Sequence, residues 1–447
     1  MAELAPLIEK YFPSSDRELR FGRTSVTALA SKYGTPLFVY DSSVLDKKLA
    51  MLRQALPPAF AISYSMKANP NGAILQHFLE RGCDLEIASA GEFYQAAHVG
   101  CPPERMVFAG PGKTAAELEY VLERGIGEIH LESACEAVRM SAICRRLGVR
   151  GNVAIRVNPS EDSQAGAMRM GGKSTPFGVD EESLDLVIDR ILAEESLNFR
   201  GIHLFSGTQI LDAELLLSQY RKGLDLARRV AHKIGRPLHT IDFGGGLGIP
   251  YFAHEEELDM RRVREGASDL ISRVSSDRLF AGTRFLVEPG RYLVGEAGVY
   301  IARVQEVKVS RGRTYLILDG GMNHHLAASG NLGQTIKRNY PIAIVNKLGA
   351  PARQNAEVVG PLCTPLDVLG RSVSLPEAAA GDLVGVFLSG AYARAASPLG
   401  FLSHPAPPEV WIESGQDTLI RRRGVFEDYL ADQTLPQVVA REMGKTC

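Results

Sequence analysis

The sequence predicts an α/β fold: a closed, TIM-like (β/α)8 barrel joined to a C-terminal, mostly antiparallel β domain. Three observations predict it. Short apolar runs alternate with amphipathic helical stretches. Those runs end in small, polar or ionisable residues. Beyond Arg291 the helical periodicity gives way to β-rich segments parted by Gly/Pro turns.

Taken in order, Thr35–Tyr40 reads as a strand ahead of the barrel that joins the second domain. Strand-like runs follow at Ala61–Met66, Asp84–Ala88, Arg105–Phe108, Glu128–Leu131, Asn152–Val157, Gly201–Phe205, Thr240–Phe243 and Arg284–Val287. Between them Ala115–Arg124, Glu136–Leu147 and Leu215–Ile234 carry helical amphipathicity, and strand–helix alternation argues for a parallel sheet. Eight such units over about 250 residues is the usual size of a closed barrel. A doubly wound open sheet has the same local pattern and is the alternative fold. Val299–Val309, Arg313–Leu318, Glu357–Val359, Leu383–Leu388 and Glu409–Glu413 read as strands of the second domain. The expected division is a barrel over 42–292, a β domain built from 1–41 and 293–420, and a polar tail or helix over 421–447.

Composition narrows the function. Fifty basic against fifty-two acidic residues, with no sustained basic run, do not describe a nucleic-acid or polybasic membrane surface. The six cysteines form no CxxC pair, which speaks against a zinc site or a disulfide scaffold and for a reduced, cytoplasmic setting. No apolar run reaches the length of a membrane span, and Glu3, Glu9 and Lys10 interrupt any leader-like stretch. The expected partner is a small molecule or another protein, with no metal.

The residues at the strand ends carry the chemistry: Lys67, Ser89, Gly110, Glu132, Asn158, Ser206, Gly244 and Glu288. Active sites of barrels lie at that face. Turn residues are common at strand ends, which accounts for the glycines and serines but poorly for Lys67, Arg156, His203 and Glu288. Lys67, closing Tyr64-Ser65-Met66-Lys67, is placed as a Schiff-base lysine, an amine whose partial desolvation would lower its pKa and make it nucleophilic toward an aldehyde. Gly244-Gly245-Gly246-Leu247-Gly248 follows a strand directly, so that backbone N–H groups can converge on a phosphate; Ile249-Pro250 after it disfavours a dinucleotide site. Glu288, in Glu288-Pro289-Gly290-Arg291, is placed to pair with a protonated pyridine nitrogen, and His203 to lie against a flat ring.

The ordered set YSMKAN, HLFSGTQ, GGGLGIPY, EPGR, GPLC and GAY, spanning about Thr35 to Ile412, resembles the fold-type III pyridoxal-phosphate decarboxylases, the diaminopimelate and ornithine decarboxylase family. The resemblance implies pyridoxal 5'-phosphate as cofactor, decarboxylation of an amino acid, and a head-to-tail homodimer whose second subunit completes each active site. It implies that Lys67 attaches the cofactor, His203 stacks on its ring, and Ser206, Gly244, Gly245 and Gly246 hold its phosphate. Arg156 would support the ring hydroxyl, Glu288 and Gly290 would border the pyridine nitrogen, and Arg291 would face substrate. Cys363 and Tyr392 would arrive from the β domain, Cys363 as proton donor, with Thr364, Arg338 and Tyr340 toward the substrate. A thiol suits that role because its pKa lies near neutrality.

Two departures bear on the substrate. Relatives that act on diamino acids carry an acidic residue directly after the cysteine; this chain reads Cys363-Thr364-Pro365-Leu366-Asp367. A buried distal ammonium without a partner would be costly, and the sequence leaves open whether Asp367 replaces the missing carboxylate. In Gly321-Met322-Asn323-His324-His325, histidines stand where the diaminopimelate enzymes place an arginine for a distal carboxylate; neighbouring strand residues point apart, so they make a poor metal pair. With Ala167–Gly172 and Phe401–Pro405, these features resemble a branch in natural-product and exosortase-associated clusters, whose members decarboxylate aminoacyl groups, glutamyl- or aspartyl-type, tethered to an acyl carrier protein. Diaminopimelate decarboxylation to lysine is the same-class alternative, and a cofactor-binding regulator without turnover the reading from another class. Residues 160–178 read either as a mobile loop over the site or as a surface insertion.

Overall fold

The computed structural model describes residues 5–12, 17–160, 168–169, 174–204, 207–252, 254–334 and 336–435. Two units emerge. One comprises Asp41–Gly298 with Gly390–Ala395; the other comprises Met1–Tyr40, Val299–Ser389 and Ala396–Cys447.

The first unit is a closed parallel barrel. Its strands are β1 (Phe60–Ser65), β2 (Asp84–Ile87), β3 (Met106–Phe108), β4 (Glu128–Leu131), β5 (Gly151–Asn158), β6 (Leu197–Leu204), β7 (Thr240–Asp242) and β8 (Arg284–Val287). Each pairs with the next, and β8 returns to β1 through Phe285–Phe60 and Val287–Ile62. The open-sheet alternative is thereby excluded. Helices between strands start where a strand-end side chain caps the first turn: Ser89 accepts from Glu92 N, Thr114 and Glu117 form a reciprocal capping box, and Ser133 accepts from Glu136 N. Gly148 and Gly235 end two of them in the left-handed region. The aromatic rings of Phe60, Tyr220, Phe243 and Phe285 lie 4.7 to 6.2 Å apart and fill one side of the barrel wall, each apolar ring contributing roughly 2–3 kcal/mol by burial. Gly201, at the register shift of β6, permits a backbone approach that a side chain would forbid: a Cβ there would stand 1.7 Å from the Thr240 carbonyl oxygen.

The second unit is a mostly antiparallel sheet system. Its main order runs Val368–Leu375, Gln354–Val359, Arg313–Leu318, Gly298–Ser310, Leu37–Asp41, Glu409–Glu413, Gln416–Arg421, with Leu383–Val386 bridging Gly298–Ser310 to Ile342–Ile344. Arg313–Leu318 and Gln354–Val359 run parallel; the other pairs with a stated sense in this unit are antiparallel. The strand Gln416–Arg421 closes the expected β domain and takes in the first residue of the expected tail, which then forms a single turn at Phe426–Tyr429; residues 436–447 lie outside the described residues. No described helix is long and apolar enough to cross a membrane.

Candidate active site

The strand ends of the barrel build the site. Lys67 stands on the turn Met66–Ala68 that follows β1, its Nζ 2.9 and 3.0 Å from the two carboxylate oxygens of Glu86 on β2. Ser65 also donates to Glu86. The turn is fixed from two sides: Ser65 N donates to Pro289 O at 3.2 Å and Tyr392 N to Ala68 O at 2.8 Å. A Cβ at Gly290 would stand 3.0 Å from Ala68 Cβ and 3.2 Å from Ser65, so a side chain-free residue lets the loop after β8 lie against the lysine turn. Burial would lower the Lys67 pKa as expected from sequence, but the charges of Glu86 and Glu288 outweigh it and raise the amine above its ordinary value. The expectation of a depressed pKa is corrected by Glu86, which the sequence reading did not single out.

The polar interior continues along the barrel. His203 on β6 is buried, its ring centroid 4.5 Å from that of His130 on β4, and its Nε2 lies 3.3 Å from Glu288 Oε2, within ion-pair reach though off hydrogen-bond alignment. Burial pushes the His203 pKa down to about 4, against the pull of Glu288, so the imidazole is neutral at pH 7. For Glu288, burial opposes ionisation; His203 and Lys67 outweigh it and hold the carboxyl below the usual range. Arg156 on β5 donates to Glu132 Oε1 at 3.1 Å and lies over the Phe177 ring; Glu132 in turn accepts from Gly110 N and Gly178 N. Arg291 donates to the Tyr251 hydroxyl at 2.7 Å and lies 4.7 Å from the centroid of the Tyr392 ring. Tyr392 has a backbone φ of 53°, a conformation that persists only when its surroundings hold it. Its segment clusters with the barrel rather than with the β unit from which it was expected to arrive.

The glycine loop is zipped to the segment after β6: Ile210 N donates to Gly246 O at 2.8 Å and Gly248 N to Ile210 O at 2.9 Å. Gly244 and Gly246 have φ of 68° and 96°, and a Cβ at Gly246 would lie 2.9 Å from Gly207 O. Only glycine adopts such a path freely, which is the requirement for a backbone cradle around an anion. Ser206 lies outside the described residues, as does most of 160–173; Val179–Asp180 beyond that stretch adds to β5 through Val157 and Asn158. Gly245 lies within the loop.

In the β unit, Cys363 is exposed. Asp367 is buried, and its carboxylate accepts from Met322 N at 2.7 Å and Leu362 N at 2.9 Å. It thus ties the Cys363 turn to the Met322 segment. His324 contacts the Tyr300 hydroxyl and Asn323, while His325 bonds Ser389 Oγ at 2.9 Å and accepts from Ala328 N. Tyr340 is buried with its ring edge-on to His325, Arg338 is exposed with its N–H on Gln334, and Thr364 is half-buried.

A buried carboxylate oxygen (Glu288 Oε1) and a buried ring nitrogen (His203 Nδ1) without hydrogen-bond partners among the described residues, a glycine cradle and an accessible amine suit a flat, phosphorylated, aldehyde-bearing cofactor with a basic ring nitrogen. Comparisons with known proteins agree. Residues 42–295 match the family model described as pyridoxal-dependent decarboxylase, pyridoxal binding domain. An L-glutamyl-[BtrI acyl-carrier protein] decarboxylase of Niallia circulans is 37% identical over 93% of this chain and 97% of its own. A diaminopimelate decarboxylase of Zymomonas mobilis is 32% identical over 91% of this chain and 94% of its own. The crystal structure of diaminopimelate decarboxylase from M. jannaschii superposes with a TM-score of 0.88 at 25% identity, covering 96% of this chain and 99% of that one.

Proposed function

The chain belongs to the pyridoxal-dependent decarboxylase family, and we propose that its substrate is a glutamyl-type aminoacyl group held as a thioester on an acyl carrier protein. The chain is a pyridoxal 5'-phosphate-dependent carboxy-lyase; what is proposed is the substrate and the residue roles. When bound, the cofactor supplies an aldehyde for an amine and a ring that accepts the electron pair left as carbon dioxide departs.

Lys67 would hold the cofactor, with Glu86, bonded to its amine through both oxygens, placed to accept a proton from it. Glu288, kept ionised, faces the ring nitrogen and holds its proton there. His203, kept neutral, lies against the ring without adding a competing positive charge. The backbone of Gly244, Gly245 and Gly246 would hold phosphate, with Ser206, outside the described residues, as a further expected donor. Arg156, anchored by Glu132, meets the ring hydroxyl, while Arg291, held between Tyr251 and Tyr392, faces the departing carboxylate. Cys363, supplied by a second copy of the chain, donates the proton to the substrate carbon, with Thr364, Arg338 and Tyr340 bordering the substrate.

The observation that carries the substrate reading is Asp367. The carboxylate nearest after Cys363 is committed to two backbone N–H groups, so it does not serve as the partner of a distal ammonium. A thioester-tethered glutamyl group needs neither that partner nor an arginine for a free distal carboxylate. Carbon dioxide release from glutamyl-carrier thioester, free L-glutamate and free meso-diaminopimelate tests this: turnover of the thioester alone is expected, and turnover of free diaminopimelate would move the chain to lysine formation. Mixing Lys67→Ala with Cys363→Ala tests the shared site, since hybrid two-fold dimers regain one intact site and about a quarter of the wild-type activity.

A further inference from the structure

Asp242, the last residue of β7, takes no part in the roles assigned above, yet it lies beside Glu288 in the barrel interior. One donor or acceptor atom from each of His130, His203, Asp242 and Glu288 falls within 4.8 Å of the others, and all four residues are buried. Asp242 Oδ1 is occupied by Gly244 N at 2.7 Å. Its Oδ2 and the Oε1 of Glu288 have no hydrogen-bond partner among the described residues. Two buried carboxylate oxygens at such proximity are both acceptors and repel one another unless one carries a proton.

We propose that Asp242 is a protonated positioning residue that donates a hydrogen bond to Glu288 and so presents Glu288 to the cofactor's ring nitrogen as a single, oriented negative charge. The inference rests on the pyridoxal-phosphate reading of the site. Burial, followed by the charge of Glu288, favours the neutral acid at Asp242, whereas Lys67 and His203 favour the anion at Glu288. Glu128, His130 and the Tyr220 phenol also act on the pair, and Glu128 reinforces the neutral form of Asp242. The bond from Gly244 N makes Asp242 a link between the phosphate loop and the ring-nitrogen partner, both of which the cofactor must satisfy together.

Asp242→Asn keeps an N–H donor toward Glu288 and an oxygen for Gly244 N; Asp242→Ala keeps neither. The asparagine variant is expected to bind pyridoxal 5'-phosphate within about threefold of wild type with an unchanged visible absorbance band. The alanine variant is expected to bind it about tenfold or more weakly with a shifted band, as for loss of a buried charge-assisted bond. Infrared difference spectra in light and heavy water report the proton directly: wild type at pH 7 shows a protonated carboxyl C=O band that Asp242→Asn lacks. Absence of that band in wild type, an asparagine variant as impaired as alanine, or one equivalent of tightly bound divalent metal in place of the proton would each overturn the proposal. The infrared band needs no cofactor, so failure to bind pyridoxal phosphate at all would count against the site reading while leaving the shared proton to stand or fall on its own.

Discussion

Each unit buries histidines and carboxylates, but to opposite effect. In the β unit, Asp367 and His325 have both side-chain acceptors or ring nitrogens engaged by near neighbours, Met322 N and Leu362 N for one and Ser389 and Ala328 N for the other. In the barrel, His203, Asp242 and Glu288 lie together with atoms that no described residue satisfies. Buried polar atoms are almost always paired, so the first set reads as construction and the second as chemistry held ready for a ligand. Between these two sets, burial and residue type are alike and the completeness of hydrogen bonding is what separates them.

The comparison breaks most visibly at Lys67. Lys67→Ala is expected to abolish carbon dioxide release and the visible absorbance of bound cofactor, and also to lower the thermal midpoint, because the buried Glu86 carboxylate loses the ammonium that pairs both its oxygens. Cys363→Ala lowers kcat by about 10²–10⁴-fold, the usual weight of a proton donor, with the absorbance band retained. Asp367→Ala, by contrast, acts on stability: two backbone donors lose their acceptor, at about 2–4 kcal/mol in denaturant titration. An activity loss larger than the stability loss explains would show that the β-unit carboxylate belongs to the chemistry after all.

Acid sharpens the contrast. His203 and His325 are driven down to about 4 and about 3 by burial, so the unfolded chain takes up protons near pH 6.5 that the folded chain refuses. Stability from each is intact above pH 6.5 and declines as pH falls toward the folded value, by about 2 kcal/mol at pH 5. Urea midpoints measured from pH 7 to 5 should fall accordingly, and His325→Gln should flatten part of the slope without altering the cofactor spectrum. Glu92, on the helix after Ser89, is the smallest case. Burial pushes its carboxyl up to about 7, with Glu86 adding to it. A raised acid opposes folding once pH exceeds its unfolded value near 4.5, with the full penalty above pH 7. Glu92→Gln is therefore expected to add about 1 kcal/mol at pH 8, discounted for its partial exposure, and nothing at pH 4.

Much of this was legible before any coordinates. Strand–helix alternation located all eight barrel strands, and Lys67, His203 and Glu288 converge because strand ends share one face. The β6 strand runs longer than read, starting at Leu197 rather than Gly201, because Asn198 and Arg200 look unlike strand residues; Asn198 bonds Asn152 of β5 at 2.8 Å across the pair. Glu86, Asp242 and His130 were missed although each interrupts an apolar strand, as in Asp84-Leu85-Glu86-Ile87. A polar side chain inside a short buried strand is an anomaly that sequence displays. Its partner, brought by a different strand, is not displayed.

The Lys67 turn is held by residues made long after it. Asn69 Nδ2 donates to Gly390 O at 3.0 Å and Ala68 O accepts from Tyr392 N, bonds between residues over 320 positions apart. At about 5–20 residues per second, a ribosome adds the second half of those bonds roughly 15 to 65 s after the first. All eight barrel strands are present only in the last part of that interval, after Val287, and throughout it the Lys67 turn lacks its latch. A gene fragment ending at Val287 would carry all eight barrel strands yet lack both of these bonds to the Lys67 turn.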